Sequence, residues 1–177
     1  DGKSKVLLYA YGAYKHSISP SFSASRFCLI DRGITFAIAH IRGGGDLGDI
    51  WHQEGKKKLK KNTFLDYIAC AKHLIEQRYT YKGGICFYGG SCGGLTGGAV
   101  ANMAPDLFFS MLLLVPFLET LTTMLNPKLP LTPGEWEMWG NPIKSKEYFD
   151  YILSYSPYNN LSKKDYPPML VTTSLFD

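Results

Sequence analysis

The sequence lacks long apolar runs, has few cysteines and carries little net charge. No apolar stretch approaches the ~18 residues that a membrane-spanning helix needs, and the chain does not open on a secretory signal. The four cysteines, Cys28, Cys70, Cys86 and Cys92, are widely spaced and match no zinc-binding or redox pattern. We therefore expect no metal or cofactor, and a reducing, cytoplasmic setting.

The formal net charge is +4, and much of it comes from one run of lysines: Lys56, Lys57, Lys58, Lys60 and Lys61. Such a run can meet an acidic partner, but a solvated loop or helix face is its usual reason. We expect these lysines to be solvated, and we expect neither a nucleic acid nor a membrane as a partner. A length of 177 residues with 45% hydrophobic residues suits one soluble globular domain.

Five short apolar runs predict buried strands, at residues 6–11, 34–41, 84–88, 110–115 and 169–175. Because these runs are continuous rather than alternating, both faces of a mostly parallel sheet should be covered by helices. Helical patterns lie between the runs, over 64–75 with Asn62 or Thr63 as N-cap, over 91–103, and between Pro142 and Pro157. Strands that alternate with helices predict an α/β fold.

The segment 121–142 differs from the rest because four prolines interrupt it and two tryptophans and two glutamates lie near its end. We interpret it as an excursion above the sheet, where α/β folds place their binding loops.

The run Gly89-Gly90-Ser91-Cys92-Gly93 fits the pattern G-x-S-x-G, with a predicted strand before it and a small-residue helix after it. A serine on such a strained strand-to-helix turn needs small neighbours, since two backbones must approach closely. The helix N-terminus would point the Cys92 N–H at a developing oxyanion. The pattern predicts Ser91 as a nucleophile; the alternative is a glycine-rich turn capped by a serine.

Six further short motifs occur along the chain, on both sides of Ser91: YAYG at 9–12, HIRGGG at 40–45, NTF at 62–64, VPF at 115–117, GEWE at 134–137 and YSPY at 155–158. With the serine motif, they resemble the prolyl oligopeptidase family of serine peptidases from end to end, and within it the oligopeptidase B (protease II) group. The resemblance implies an α/β-hydrolase fold and a cytoplasmic endopeptidase that cleaves short basic peptides after lysine or arginine through an acyl-enzyme. It also implies that residues 1–177 are one partial catalytic domain, truncated at its C-terminal side, which a β-propeller and a histidine-bearing segment would complete.

The resemblance also suggests roles for individual residues. Tyr11 would be the second oxyanion donor beside the Cys92 N–H, and Tyr14 would line the pocket wall. Glu135 and Glu137 are two residues apart, so in an extended segment both would project to one face. Paired carboxylates there suit a guanidinium or ammonium group, and the matching glutamates of oligopeptidase B are associated with the basic residue before the cut.

One departure from the family pattern concerns Ser19 and Ser21. Family members usually carry acidic residues at these positions, which favour a second basic residue upstream of the cut. We therefore expect that a preference for dibasic sites is weakened.

In α/β-hydrolases the chain order is nucleophile, acid, histidine, and the resemblance places the acid at Asp177. No histidine follows, because all four precede Ser91: His16, His40, His52 and His73. A serine without a base is a weak nucleophile, so we expect this chain alone to be inactive. Two alternatives remain open. One is a non-catalytic folded remnant with at most a binding role, which would form a homo-oligomer that covers exposed sheet edges. The other is an esterase or lipase, which the two glutamates disfavour.

Overall fold

The computed structural model describes residues 2–175, so the predicted triad acid Asp177 lies outside the described residues. These residues form one parallel sheet of five strands in the order β2-β1-β3-β4-β5. The strands are β1 (Lys5–Tyr9), β2 (Ile34–Ile38), β3 (Ile85–Gly90), β4 (Phe108–Leu114) and β5 (Met169–Thr172). Each lies within one of the five apolar runs or overlaps it, so the predicted parallel α/β sheet is confirmed. The expectation that all five strands are buried was wrong for β5, whose four residues are exposed at the edge of the described sheet.

The α-helices of the described chain are α1 (Ala24–Ile30), α2 (Asp49–Gln53), α3 (Lys61–Glu76), α4 (Cys92–Met103), α5 (Thr120–Met124), α6 (Thr132–Trp139) and α7 (Lys146–Leu153). The three predicted helices correspond to α3, α4 and α7. The predicted N-cap of α3 was wrong, because Lys60 precedes the helix and Asn62 and Thr63 lie inside it. None of these helices is long and apolar enough to cross a membrane, for the residues described.

Helices lie on both faces of the sheet. On one face, α3 and α4 cover Leu8 and Phe87, which are fully buried. The Tyr67 hydroxyl of α3 donates a hydrogen bond to the carbonyl oxygen of Leu8 (3.0 Å), and its ring packs on Phe87 with 4.9 Å between centroids. On the other face α1 packs against β2, where the Arg26 guanidinium lies 4.3 Å from the centre of the Phe36 ring. Beside α1, Leu7, Leu112 and Leu170 line an apolar groove on this face of the described sheet.

The carboxyl ends of β1, β3 and β4 bring three loops together. The amide of Ala10, after β1, donates to the carbonyl oxygen of Tyr88 in β3. After β3, the Ser91 N–H donates to the carbonyl oxygen of Leu114 at the end of β4 (2.9 Å). Because strand ends of a parallel sheet meet at one edge, residues distant in sequence share one site here.

Candidate active site

Ser91 occupies a sharp turn between β3 and α4. Its backbone is in an unusual conformation for a residue other than glycine, with φ 51° and ψ −117°, and the residue is exposed. Such a backbone costs about 1–3 kcal/mol and persists only where the surroundings fix it. Here its N–H is bonded to Leu114, and its carbonyl oxygen accepts from the N–H groups of Phe117 (3.0 Å) and Leu95 (3.2 Å). The strand-turn-helix context that the motif requires is therefore present.

The small residues around Ser91 allow the close approach of the chain after β1. A Cβ atom added to Gly93 would lie 2.7 Å from the carbonyl oxygen of Ala10 and 3.5 Å from the Cα atom of Tyr11. Both contacts are with backbone, which cannot move aside like the end of a flexible side chain. The glycine thus lets the start of α4 lie against the turn that carries Tyr11.

Two hydrogen-bond donors stand beside Ser91. Cys92 is the first residue of α4, where no preceding turn supplies a carbonyl oxygen for its N–H. The Tyr11 phenol lies next to the Ser91 hydroxyl and the Cys92 thiol, and burial, reinforced by Cys92, raises the pKa of Tyr11 to about 12. The phenol therefore keeps its proton at neutral pH and can donate it in a hydrogen bond. The structure brings these predicted oxyanion donors together.

Tyr14 connects this region to α6. Its hydroxyl accepts a hydrogen bond from the Cys92 Sγ–H (3.2 Å) and donates one to Oε2 of Glu135 (2.6 Å). Its ring meets the Trp139 ring edge to face, with 6.0 Å between centroids. Burial is the main cause that raises the pKa of Tyr14, and the neighbouring Cys92 is the second. The Tyr14 hydroxyl therefore also remains a donor.

Glu135 and Glu137 do not project to one face, and this expectation was wrong. Both lie in the helix α6 rather than in an extended segment, and two residues along a helix differ by about 200°. Glu135 is partly buried, and its Oε2 accepts hydrogen bonds from Tyr14 and from Nε1 of Trp139 (2.7 Å). Glu137 has 87% of its side chain exposed and pairs with Lys57 (3.0 Å), which lowers the pKa of that carboxyl.

The expectation that the lysine run is solvated was wrong for Lys60. Its side chain is fully buried, and its Nζ donates to the carbonyl oxygen of Gly12 (2.6 Å). Three other lysines of the run contact α6 or α7. Lys57 pairs with Glu137 of α6, and Lys58 pairs with Glu147 of α7. The Lys61 ammonium lies over the ring of Tyr151 in α7. Lys57 and Lys58 thus form surface ion pairs with α6 and α7. Charge patterning carried no signal that would single out Lys60.

None of the four histidines forms a hydrogen bond with Ser91 in the described part of the chain. His40 and His52 bond to the carbonyl oxygens of Ile18 and Gly43, respectively, and the His16 ring meets Tyr11 edge to face. His73 lies in the last turn of α3. Between residues 2 and 175, no group of three or more histidine, cysteine or acidic side chains could hold a metal ion.

Ser19 and Ser21 are exposed in the irregular segment before α1. The Ser21 carbonyl oxygen accepts a hydrogen bond from the Arg26 guanidinium (2.7 Å), which ties this segment to α1.

Curated relatives match the chain over its whole length. Dipeptidyl aminopeptidase BI from Pseudoxanthomonas mexicana is 50% identical over 177 residues, which are 100% of this chain and 24% of that protein. Protease 2 from Moraxella lacunata is 48% identical over 100% of this chain and 26% of that protein. The chain therefore spans about a quarter of the length of these relatives.

Solved structures of similar fold include oligopeptidase B from Leishmania major, with a TM-score of 0.92 and 48% identity over 96% of this chain and 23% of that chain. Oligopeptidase B from Trypanosoma brucei, solved with covalently bound antipain, has a TM-score of 0.92 and 47% identity over 96% of this chain and 24% of that chain. The α/β-hydrolase fold predicted from the sequence is confirmed by these likenesses. Residues 20–177 match the prolyl oligopeptidase family, and this chain belongs to that family of serine peptidases.

Proposed function

We propose that this chain carries the nucleophile, the oxyanion donors and the P1 pocket of a serine peptidase that cleaves peptides after lysine or arginine. The observation that supports this most strongly is one continuous set of contacts. It runs from Ser91 through Tyr11 and Cys92 to Tyr14, and from Tyr14 to the Glu135 carboxylate.

In the proposed reaction, Ser91 Oγ attacks the carbonyl carbon of the scissile bond while its proton passes to a histidine. The negative charge that forms on the carbonyl oxygen is held by the Cys92 N–H and the Tyr11 hydroxyl. The histidine then protonates the leaving amine, which gives an acyl-enzyme, and water releases the peptide from Ser91 by the reverse roles. Since none of the histidines in residues 2–175 bonds to Ser91, we propose that the base comes from outside these residues, oriented by Asp177.

Glu135 has the features of a group that recognises a basic side chain. Its two hydrogen bonds, from Tyr14 and Trp139, come from neutral donors and both go to Oε2. Within the described residues it has no ion-pair partner, so its charge is left for a ligand. The guanidinium or ammonium group of a P1 residue supplies the opposite charge, and the neighbouring rings of Tyr14 and Trp139 favour a cation further.

Glu137 is assigned no part in P1 recognition, because Lys57 already neutralises it at the surface. Upstream of P1, the hydroxyls of Ser19 and Ser21 offer no charge to a second basic residue. We therefore propose that selectivity rests on P1, with a weak preference at the position before it.

The test uses this sequence inside a complete peptidase. Residues 1–177 replace the matching stretch of Protease 2 from Moraxella lacunata, which is 48% identical over the whole chain; we call this protein the grafted enzyme. A fluorophosphonate probe should label Ser91 in the grafted enzyme, and should label neither its Ser91→Ala variant nor the 177-residue chain alone. Arginine and lysine amides should be cleaved, and Arg-Arg and Ala-Arg substrates should be cleaved at similar rates.

Several results would contradict the proposal. An unlabelled Ser91 in a folded grafted enzyme would favour the non-catalytic alternative. Rapid turnover of p-nitrophenyl esters without cleavage of any peptide would favour an esterase. A strong preference for Arg-Arg over Ala-Arg substrates would contradict only the proposed weak preference upstream of P1. The assignment of the P1 pocket would not be affected.

A further inference from the structure

The most unusual charged group outside the reacting atoms is the buried amino group of Lys60. Its side chain is fully buried at the start of α3. Burying an ammonium group costs several kcal/mol unless good partners compensate it. Among residues 2–175 no carboxylate forms an ion pair with Lys60, and burial lowers its pKa to about 7. A neutral apolar residue would fill this place at lower cost, so the amino group needs a specific reason.

The partner of the amino group is the turn that follows β1. Lys60 Nζ donates to the carbonyl oxygen of Gly12 at 2.6 Å. That carbonyl belongs to the peptide group directly after Gly12, between Tyr11 on one side and Tyr14 on the other. A bond to this oxygen therefore fixes the backbone from which both tyrosine side chains project.

The turn is also confined from its other sides. Gly12 has φ +75°, and a Cβ atom added there would lie 2.6 Å from Cγ2 of Thr63 and 2.8 Å from Cδ1 of Ile41. A Cβ atom added to Gly43 would lie 2.2 Å from the Gly12 carbonyl oxygen. Steric confinement and the Lys60 hydrogen bond thus act on the same peptide group.

Lys60 touches the proposed P1 pocket as well. Its Nζ lies 5.2 Å from the centre of the Trp139 ring, a distance at which an ammonium is attracted to the ring face. The same indole donates its N–H to Glu135. One amino group therefore contacts both the turn of Tyr11 and Tyr14 and the helix that carries Glu135.

We propose that Lys60 is a positioning residue for the acyl-transfer site. It holds the Gly12 carbonyl and the Trp139 ring together, so that Tyr11 stays beside Ser91 and Tyr14 stays on Glu135. This inference rests on the proposed function of Tyr11 as an oxyanion donor. Lys60 touches no reacting atom, and its effect on the reaction passes through the two tyrosines.

The test compares Lys60→Met with Lys72→Met in the grafted enzyme. Methionine keeps the apolar stem of lysine and is one atom shorter, and it has no donor at its end. Lys72 is an exposed lysine of α3. Rates are divided by the number of active sites titrated with a fluorophosphonate, so that loss of folded protein does not count as loss of rate. A displacement of about 1 Å at a catalytic group can cost about 100-fold. We expect kcat per site to fall roughly 10- to 100-fold in Lys60→Met and to stay unchanged in Lys72→Met.

A double-variant cycle distinguishes positioning from general support of the fold. If Lys60 acts through Tyr11, Lys60→Met should cost little rate once Tyr11→Phe has removed the donor, because coupled changes do not add. Additive losses would overturn the inference, as would an unchanged kcat per site in Lys60→Met. Lys60→Leu, which also lacks a donor, replaces Lys60→Met if that variant yields no titratable sites, with the same criteria.

The two proposals fail in different ways. If the unmodified grafted enzyme cleaves neutral and arginine substrates at equal rates, the P1 proposal is contradicted. The effect of Lys60→Met on kcat still tests the role of Tyr11 in that case, with either substrate. An unmodified enzyme that prefers arginine but is unaffected by Lys60→Met contradicts only the role of Lys60.

Discussion

Replacing Glu135 by glutamine would remove the charge at the proposed P1 site while largely keeping its shape. The glutamine carbonyl oxygen can still accept the hydrogen bonds that Tyr14 and Trp139 donate to Oε2 at 2.6 and 2.7 Å. The partly buried position on α6 stays filled by a side chain of almost the same volume. A change in specificity in this variant therefore reports on the charge rather than on packing.

The size of the effect follows from the contacts of the carboxylate. Since Glu135 has no ion-pair partner among the described residues, a P1 guanidinium would be its main source of neutralisation. A hydrogen bond to a charged group contributes about 1.5–3 kcal/mol, and about 1.4 kcal/mol corresponds to a tenfold change in rate. We expect kcat/KM for an arginine substrate to fall roughly 10- to 150-fold in Glu135→Gln.

The assay measures kcat/KM of the grafted enzyme with matched substrates that carry arginine or citrulline at P1. Citrulline has nearly the shape of arginine without the charge, so it should be a poor substrate of the unmodified enzyme. In Glu135→Gln, the two substrates should become nearly equal, because the group that distinguishes them is gone. Glu137→Gln is the matched control, and its ratio of arginine to citrulline should stay within about twofold, since exposed ion pairs contribute little.

Three results would refute this reasoning. Equal losses in Glu135→Gln and Glu137→Gln would mean that both carboxylates act together, as the extended arrangement expected from the sequence implied. A similar loss for arginine and citrulline would mean that Glu135 supports the pocket rather than recognising charge. An unchanged ratio in Glu135→Gln would place the recognition of the basic side chain elsewhere.

Three further predictions concern Tyr11, Gly93 and Lys60. Tyr11→Phe should lower kcat by roughly 100- to 1,000-fold with little change in KM, the usual effect of losing one oxyanion donor; a fall below threefold in steady-state assays would exclude that role. Gly93→Ala places a methyl group 2.7 Å from the Ala10 carbonyl oxygen, and we expect a loss of about 1–3 kcal/mol in the free energy of unfolding measured in urea. Gly134→Ala in α6, where a Cβ meets no atom within 4 Å, is the control, and it should lose no stability. Burial lowers the pKa of Lys60 from 10.5 to about 7, so between these values the unfolded chain binds more protons than the folded chain. The penalty for burying Lys60 is therefore full below about pH 7 and is relieved as the pH rises. The free energy of urea unfolding of the unmodified chain should increase relative to Lys60→Met by about 1.4 kcal/mol per pH unit above about pH 7, and parallel pH profiles would contradict this.

The sheet and the Ser91 turn could be predicted because their signals are local. A continuous apolar run between glycines and prolines favours a buried parallel strand. All five such runs form strands, although the residues of β5 are exposed rather than buried. The serine motif likewise contains its own explanation, since Gly93 allows the approach of the Ala10 carbonyl group. The ends of these elements differ by a few residues because the termination of a strand depends on its neighbours.

The arrangement of Glu135 and Glu137 could not be predicted from their spacing. Prolines before them favoured an irregular segment, but Pro133 lies in the first turn of α6, where a missing N–H is tolerated. In a helix the same spacing separates the two carboxylates, so that one meets Tyr14 and Trp139 and the other meets Lys57. The secondary structure of eight residues thus decides whether the site has one carboxylate or two.

The burial of Lys60 depends on tertiary contacts that no local pattern reports, and it bears on how Glu135 stays available. The buried indole of Trp139 lies between the two groups: the Lys60 ammonium is 5.2 Å from its ring centre, and its N–H donates to Glu135. Each charge therefore interacts with a neutral ring instead of with the other charge. If the two groups paired directly, the carboxylate would already be neutralised and would gain little from a substrate cation. The indole thus lets the Lys60 amino group lie close enough to hold the Tyr11 turn without pairing with Glu135, so the carboxylate stays available to a substrate cation.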